Sequence, residues 1–504
     1  MSHARGQVWY QHRLAPLAAV LLGYLLSRLI FIAVVGIEYD ASPLGWFWQF
    51  IDPKLLLEDP WRSLYYHHAQ PPLFNVYLAA VLRFSGGDPS SLLWASYLGF
   101  GLVLHGSIYA VLTALGVRLW LAVAAPIAFA LSPASILYEN WLFYTYPLAT
   151  LLVATALSLH RLASRDFRKR DALLFFSLLA TAALTRSLFH LAWILFFTGL
   201  TLYVAGERRR RLLPAALVPL VLVFSVYFKN WVEFGSFSTS SWLGMNLARL
   251  VVESVPAEER EELERQGTIS AVSLVPPFSF LKKYPVALRQ PELRDRSGHV
   301  DHPVLISPVK STRAVNLNHL AYIEISRLYR ADALTLIRRD PVRYLNSVAN
   351  GWLLFTLPPS EYSFLKRNRE RLSGWDGAWN TAIYGVASAF RSDVVAPDLN
   401  DREYLQYRVS YFWVGLTIVS LVLAIYRGLK DISRGEPGNG LCLLYLSLTF
   451  LYVSIVGNTF DYRENNRMRF MIEPIITVLI FWALDRALSL WMARRNDERA
   501  MEQA

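Results

Sequence analysis

Apolar residues gather into long runs along this chain, at 14–36, 72–84, 92–115, 119–132, 141–160, 172–186, 188–206, 212–228, 409–426, 438–457 and 471–492. A helix needs about 20 apolar residues to match a hydrocarbon core of about 30 Å. Several of the runs reach that length, so the pattern predicts an all-α polytopic membrane protein with about 11 transmembrane helices. The first run is longer than the core of a signal peptide and lacks a small-residue cleavage site, which predicts that it is retained.

The longest interruption lies between Phe228 and about Pro341 and is too polar for lipid. Within it, "PAEEREELERQG" (256–267) predicts a solvated amphipathic helix. Further on, "YLNSVANGWLLFTLPP" (344–359) either dips into the membrane or lies along its surface. The expected organisation is a transmembrane region at 1–228 with a first outer loop at 37–70. An extracytoplasmic loop region at 229–405 and a second transmembrane region at 406–504 follow.

Composition agrees: 54% of residues are hydrophobic and 18% charged, with mean hydropathy +0.29. The net charge of +11 would suggest nucleic acid in a soluble chain. Here the basic residues sit in short runs between apolar ones, "RLASRDFRKR" (161–170), "ERRRR" (207–211), "RGLKDISRG" (427–435) and "ARRNDER" (493–499). That is the pattern of cytoplasmic loops, and it argues for membrane lipids and against nucleic acid as partners. With the N-terminus inside, span 14–36 delivers residues 37–70 to the outer face. Five apolar runs then precede Arg161, whereas an even number of crossings is needed. One of 72–84, 92–115 and 119–132 is therefore short, re-entrant or fused with its neighbour.

The single cysteine, Cys442, excludes an intrachain disulfide. No Cys–His cluster has zinc-site spacing and no cofactor motif is evident, although two carboxylates could share a divalent ion.

Charge and topology together bring several polar groups to the outer face, where ionisable residues at membrane depth mark functional sites. Glu38 and Asp40 follow the first span. A carboxylate at such a boundary can take a proton from an acceptor hydroxyl or amine; the plainer alternative is a solvated acid that ends the span. His67, His68 and Gln70 precede a Pro-Pro pair, and could bind sugar hydroxyls or phosphate, or simply anchor the interface beside Tyr65 and Tyr66. The loop "DYRENNRMR" (461–469) puts Arg463, Arg467 and Arg469 outside, against the usual bias, with Glu464 beside them. Arginine binds phosphate bidentately, and lipid head groups or Glu464 are its alternative partners. Glu139, Arg186 and Lys229 complete a candidate cationic cavity, each of them also readable as a helix-end residue.

At these residues the chain resembles the GT-C superfamily of lipid-sugar-dependent glycosyltransferases, in particular the protein O-mannosyltransferase and aminoarabinose-transferase branch. "EYD" (38–40) is similar to the acid-bearing end of that family's first span, and "HHAQPPLF" (67–74) to the motif that opens the second. The stretches 46–61, 138–149 and 464–474 also look similar to recurrent features of these enzymes. The acids are separated by a tyrosine rather than adjacent, and His68 is separated from Pro71 by Ala69 and Gln70. The resemblance implies a bacterial plasma-membrane enzyme with its site on the extracytoplasmic side. A polyprenyl-phosphate sugar would be the donor, its phosphate held by arginine or lysine, and a glycan, lipid or protein the acceptor. Asp40 would activate the acceptor, which attacks the anomeric carbon with inversion, and Glu38 would assist. The competing expectations are a transporter or lipid flippase with an outward polar cavity, and a scaffold whose outer loop recruits a partner.

Overall fold

The structure is a computed structural model that describes residues 2–289, 301–384 and 410–503. It is helical throughout the described residues, without a β-strand; the parts of 229–405 at 290–300 and 385–405 lie outside them. The helices used below are α1 (Ser2–Ala33), α2 (Leu73–Phe84), α3 (Ser90–Ala114), α4 (Leu119–Leu131), α5 (Pro133–Glu139) and α6 (Thr145–Ser164). Next come α7 (Lys169–Thr185), α8 (Leu191–Ala205), α9 (Arg209–Phe234), α10 (Leu243–Val251), α11 (Ala257–Arg265), α12 (Ala321–Arg339) and α13 (Pro341–Thr356). The last are α14 (Lys366–Arg371), α15 (Ser373–Tyr384), α16 (Tyr411–Ser433), α17 (Pro437–Phe460) and α18 (Asn465–Gln503).

Seven helical runs among the described residues are long and apolar enough to cross a membrane, and an eighth arises if α4 and α5 count as one bent span. The 61° bend between those two falls at Ser132–Pro133. Proline disfavours the helical conformation in the residue before it, and the Ser132 hydroxyl caps the new helix by accepting the Ser135 N–H at 3.2 Å. The run Leu191–Phe234 is a hairpin, because the Leu191 N–H donates to the Tyr227 hydroxyl at 3.1 Å. Gly206 makes the reversal at φ +56°, where a side chain would be strained.

The bundle has two chemically distinct ends. At one, Arg208 pairs with Asp166 at 2.6 Å, the His160 ring meets Asn439 at 3.1 Å, and Arg486 donates to the Leu115 carbonyl at 2.9 Å. The basic segments at 161, 207 and 427 therefore gather there. The opposite end carries residues 36–72, 140–144 and 461–464. Run 72–84 does not pass between the ends. The Tyr77 side chain meets Ser96 on α3, and only a turn at Gly86 and Gly87 (φ +63° and +128°) separates α2 from α3. An extended chain would be needed to bring α2 back across the bundle. The end-to-end passages before Arg161 are thus α1, α3, α4–α5 and α6, the even number that the charge pattern requires.

Beyond that far end a second hydrophobic cluster, distinct from the core of the bundle, forms around Trp242, Met245, Val251, Leu263, Tyr322, Tyr329 and Leu354. Gly244 lets α10 lie directly on α12, since a Cβ there would fall 1.7 Å from the Ser326 carbonyl oxygen. The solvated segment at 256–267 is α11, with Leu263 as its buried residue. The segment at 344–359 is α13, which lies across the ends of α17 and α18 farthest from the basic segments: the Tyr344 hydroxyl donates to the Thr459 carbonyl at 3.2 Å.

Candidate functional site

The tripeptide Glu38–Asp40 is gripped from both sides. Asp40 pairs through its main chain with the turn after α5: its N–H donates to the Asn140 carbonyl at 2.9 Å, and its own carbonyl accepts the Leu142 N–H at 2.9 Å. On the other flank Asn368 of α14 accepts the Glu38 N–H at 3.2 Å and donates to the Glu38 carbonyl at 2.7 Å. The Glu38 carboxylate is held by Arg367 at 2.6 Å and Arg371 at 3.0 Å, and the hydrogen bond from Arg371 is the main reason its pKa is lowered. Asp40 differs. It is partly exposed, and its carboxylate accepts the Ser42 N–H at 3.0 Å without a salt bridge among the described residues.

The "HHAQPP" gateway is a structural latch. Burial pushes His67 down to about 3 and His68 likewise to about 3, so both imidazoles are neutral. His67 Nδ1 donates to Asn318 Oδ1 at 2.7 Å and its Nε2 accepts from Asn75 at 3.2 Å. His68 Nε2 donates to the Asn318 carbonyl at 2.8 Å while Nδ1 accepts from Ser241 at 2.9 Å. These roles follow because a carbonyl oxygen only accepts. All four ring nitrogens are engaged. Lys229 donates to the His67 carbonyl at 2.9 Å, closing the same latch.

Gln70, by contrast, lines a narrow polar cleft together with Gln49, Tyr144, Arg186, Arg249, Asp461, Glu464 and Arg467. Trp48 and Phe278, stacked at 5.0 Å, and Trp242 also line it. The loop 461–464 builds the charged part. Arg463 adopts φ +79°, which turns its side chain out to Glu253 at 3.1 Å and leaves its neighbours facing inward. One helical turn apart, Glu464 and Arg467 form a buried ion pair. Arg467 is 1% exposed and lies over the Phe143 ring at 4.4 Å; its Nε and Nη1 have no hydrogen-bond partner among the described residues. Arg186, also buried, donates to Met471 Sδ at 3.3 Å and lies over the Tyr144 ring at 5.5 Å. Arg249 stands 3.7 Å from Asp461.

The two carboxylates are driven apart. Burial, reinforced by Glu464, pushes Asp461 up to about 6 against the pull of Arg249. Burial would also raise Glu464, but Arg467, Arg249 and Arg186 outweigh it and hold that group low. Paired acids separated in this way titrate as a unit.

Two expected ligands lie elsewhere. Glu139 accepts from Arg28 Nη2 at 2.9 Å, Tyr24 at 3.0 Å and Tyr146 at 2.7 Å, which occupies both of its oxygens inside the bundle. Arg469 donates to the Thr356 and Leu357 carbonyls at 2.6 and 3.2 Å and pairs with Glu473 at 3.1 Å, fastening the end of α13. Conversely, Arg249 and Asp461 are cleft residues that sequence reasoning did not select. The signal for Arg249 was a basic residue on the buried stripe of an amphipathic helix, "LGMNLARLV". No group of three or more potential metal ligands is present among the described residues.

The fold and the apolar helices define an all-α membrane protein with a polar, arginine-rich cleft at one end of its bundle. Neither the family models, nor the curated proteins, nor the solved structures contain a match to this chain.

Proposed function

We propose that this protein transfers a glycosyl group from a polyprenyl-phosphate carrier to an acceptor at the extracytoplasmic face, with inversion. One observation carries the proposal: three arginines converge on one cleft, two of them buried, and the more buried, Arg467, has two nitrogens without a hydrogen-bond partner among the described residues. Buried donors left unmet are costly, and a phosphate oxygen is the acceptor that guanidinium geometry suits best. Asp40, held by its backbone at the same end of the bundle beside the cleft lining and without a salt bridge among the described residues, is the base for an acceptor hydroxyl or amine. The guanidinium groups hold the donor's phosphate in place while the anomeric bond breaks.

Topology supports a lipid-borne donor. Helices α7 and α8, of 17 and 15 residues, run from the basic end to the cleft and back, and count here as membrane crossings. At 1.5 Å per residue they extend only about 22–26 Å, short of a hydrocarbon core of about 30 Å. With the basic end at the opposite surface, the turn that carries Arg186 would sit below the membrane surface, at a depth that a lipid phosphate reaches. On this reading α1, α3, α4–α5, α6, α7, α8, α9, α16, α17 and α18 give ten crossings among the described residues, more than the seven or eight helical runs that are long and apolar enough by themselves, with both termini inside.

The test uses purified protein with radiolabelled polyprenyl-phosphate sugars and candidate acceptors. Label leaving the lipid for an acceptor is the expected result. Label that crosses a vesicle bilayer while still attached to its lipid would overturn transfer in favour of flipping.

A further inference from the structure

Five charged side chains line the cleft, and their balance has a chemical consequence. Arg186, Arg249 and Arg467 supply three positive charges; Asp461 and Glu464 supply two negative ones. The acids are held differently. Glu464 is closed onto Arg467. Asp461 receives the Tyr462 N–H on Oδ1 at 2.8 Å and stands 3.7 Å from Arg249, too far for a tight hydrogen-bonded pair. An entering anion can therefore take Arg249 from Asp461 more readily than it can take Arg467 from Glu464.

We infer that Asp461 sets the charge of the anion the cleft accepts, favouring a singly charged phosphodiester over a doubly charged phosphomonoester. The inference rests on the anion-site reading above. With Asp461 ionised, the cleft carries one net positive charge, which a phosphodiester neutralises; a dianion brings a surplus that faces the Asp461 carboxylate. The groups facing Asp461 are Arg249 from α10, Arg186 from the end of α7, and Glu464 and Arg467 at the start of α18. The nearby Arg463 and Glu253 neutralise each other.

The distinction matters for transfer. The donor is a phosphodiester; when its anomeric C–O bond breaks, both electrons stay on the phosphate oxygen. The lipid product is then a phosphomonoester with one more negative charge. A cleft that prefers the diester binds donor over product and so releases the spent carrier. Protonation of Asp461 removes one negative charge and relaxes this preference, and burial holds its pKa at about 6. Discrimination is therefore strongest above that pH and weakens below it.

The test measures binding of farnesyl methyl phosphate and farnesyl phosphate to the purified full chain at pH 8. There the monoester, with a second pKa near ~6, is doubly charged. The expected result is a preference of wild type for the diester of roughly tenfold or more, the order of one charge interacting across a few ångströms at a protein site. Asp461→Asn should narrow it by a similar factor, chiefly by tightening the monoester. An unchanged ratio, or equal weakening of both probes as for a merely structural residue, would overturn the inference. A second measurement needs no variant: the affinity of wild type for a non-titrating alkyl disulfonate should rise from pH 8 to pH 5.5 more than that for an alkyl sulfonate. Equal pH responses would also overturn it. If none of the probes binds wild type, it is the anion-site reading that falls.

Discussion

Asp40 and Trp141 form an isolated parallel β-bridge in an otherwise helical protein. The bridge joins the exit of α1 to the turn after α5, across a sequence gap that no local pattern spans. Two main-chain hydrogen bonds fix the Asp40 backbone, while its carboxylate accepts the Ser42 N–H and makes no salt bridge among the described residues, as the proposed base requires.

The two acids of "EYD" should therefore behave differently. Asp40→Asn keeps shape and removes charge, so folding should survive while transfer falls by at least ~10²-fold. Glu38→Gln loosens contacts to Arg367 and Arg371, both at a solvent-exposed position where ion pairs contribute little, and should cost far less. Initial rates with labelled donor, read beside thermal unfolding, decide the matter. Near-wild-type transfer by Asp40→Asn with none by Glu38→Gln would reverse the assignment.

The arginines near the cleft and in the terminal loop should divide in the same way. Replacing Arg467 or Arg186 by alanine removes charge-assisted hydrogen bonds worth ~1.5–3 kcal/mol, or roughly 10- to 150-fold in donor affinity of the folded protein; Arg467→Ala also leaves Glu464 without its buried partner and should melt at lower temperature. Arg469→Ala instead releases the Thr356 and Leu357 carbonyls and should lower the melting temperature without weakening donor binding by the folded protein. Donor titrations and melting curves on the three variants distinguish these roles. Weakened donor binding by a fully stable Arg469→Ala would return that residue to the site.

Glu139 offers a test of fold against function. Its pair with Arg28 is buried on both sides, and removing one partner of such a pair costs about 3–5 kcal/mol. Glu139→Gln should unfold at markedly lower temperature, and Arg28→Met combined with Glu139→Gln should recover part of the loss. An unaltered melting curve with abolished transfer would make Glu139 a ligand-binding group after all.

Topology can be read with introduced cysteines. Ser42 and Arg463 are exposed at the far end and Ser164 at the basic end, while Asn465 is buried and unsuited to labelling. The native Cys442 is buried and should stay silent. An impermeant thiol reagent added outside should label cysteines at 42 and 463 and leave one at 164 untouched. Outside labelling at 164 would invert the protein in the membrane.

The sequence by itself determined what depends on neighbours along the chain. Run length and mean hydropathy made the helices, since a segment of about 20 apolar residues must satisfy its own backbone in lipid. The basic clusters marked one end of the bundle, and the polar gap after Phe228 marked the solvated region. Tertiary structure decided which polar side chains meet. His67 and His68 looked like ligands until Asn318, some 250 positions away, took one ring nitrogen of each. Glu139 looked like a rim acid until Arg28 arrived from α1. Arg249, inconspicuous within its own helix, became a cleft residue because Gly244 lets α10 pack tightly on α12. A buried charge needs a partner wherever the fold can bring one, so its role is set by contacts distant in sequence, which hydropathy and spacing along the chain do not encode.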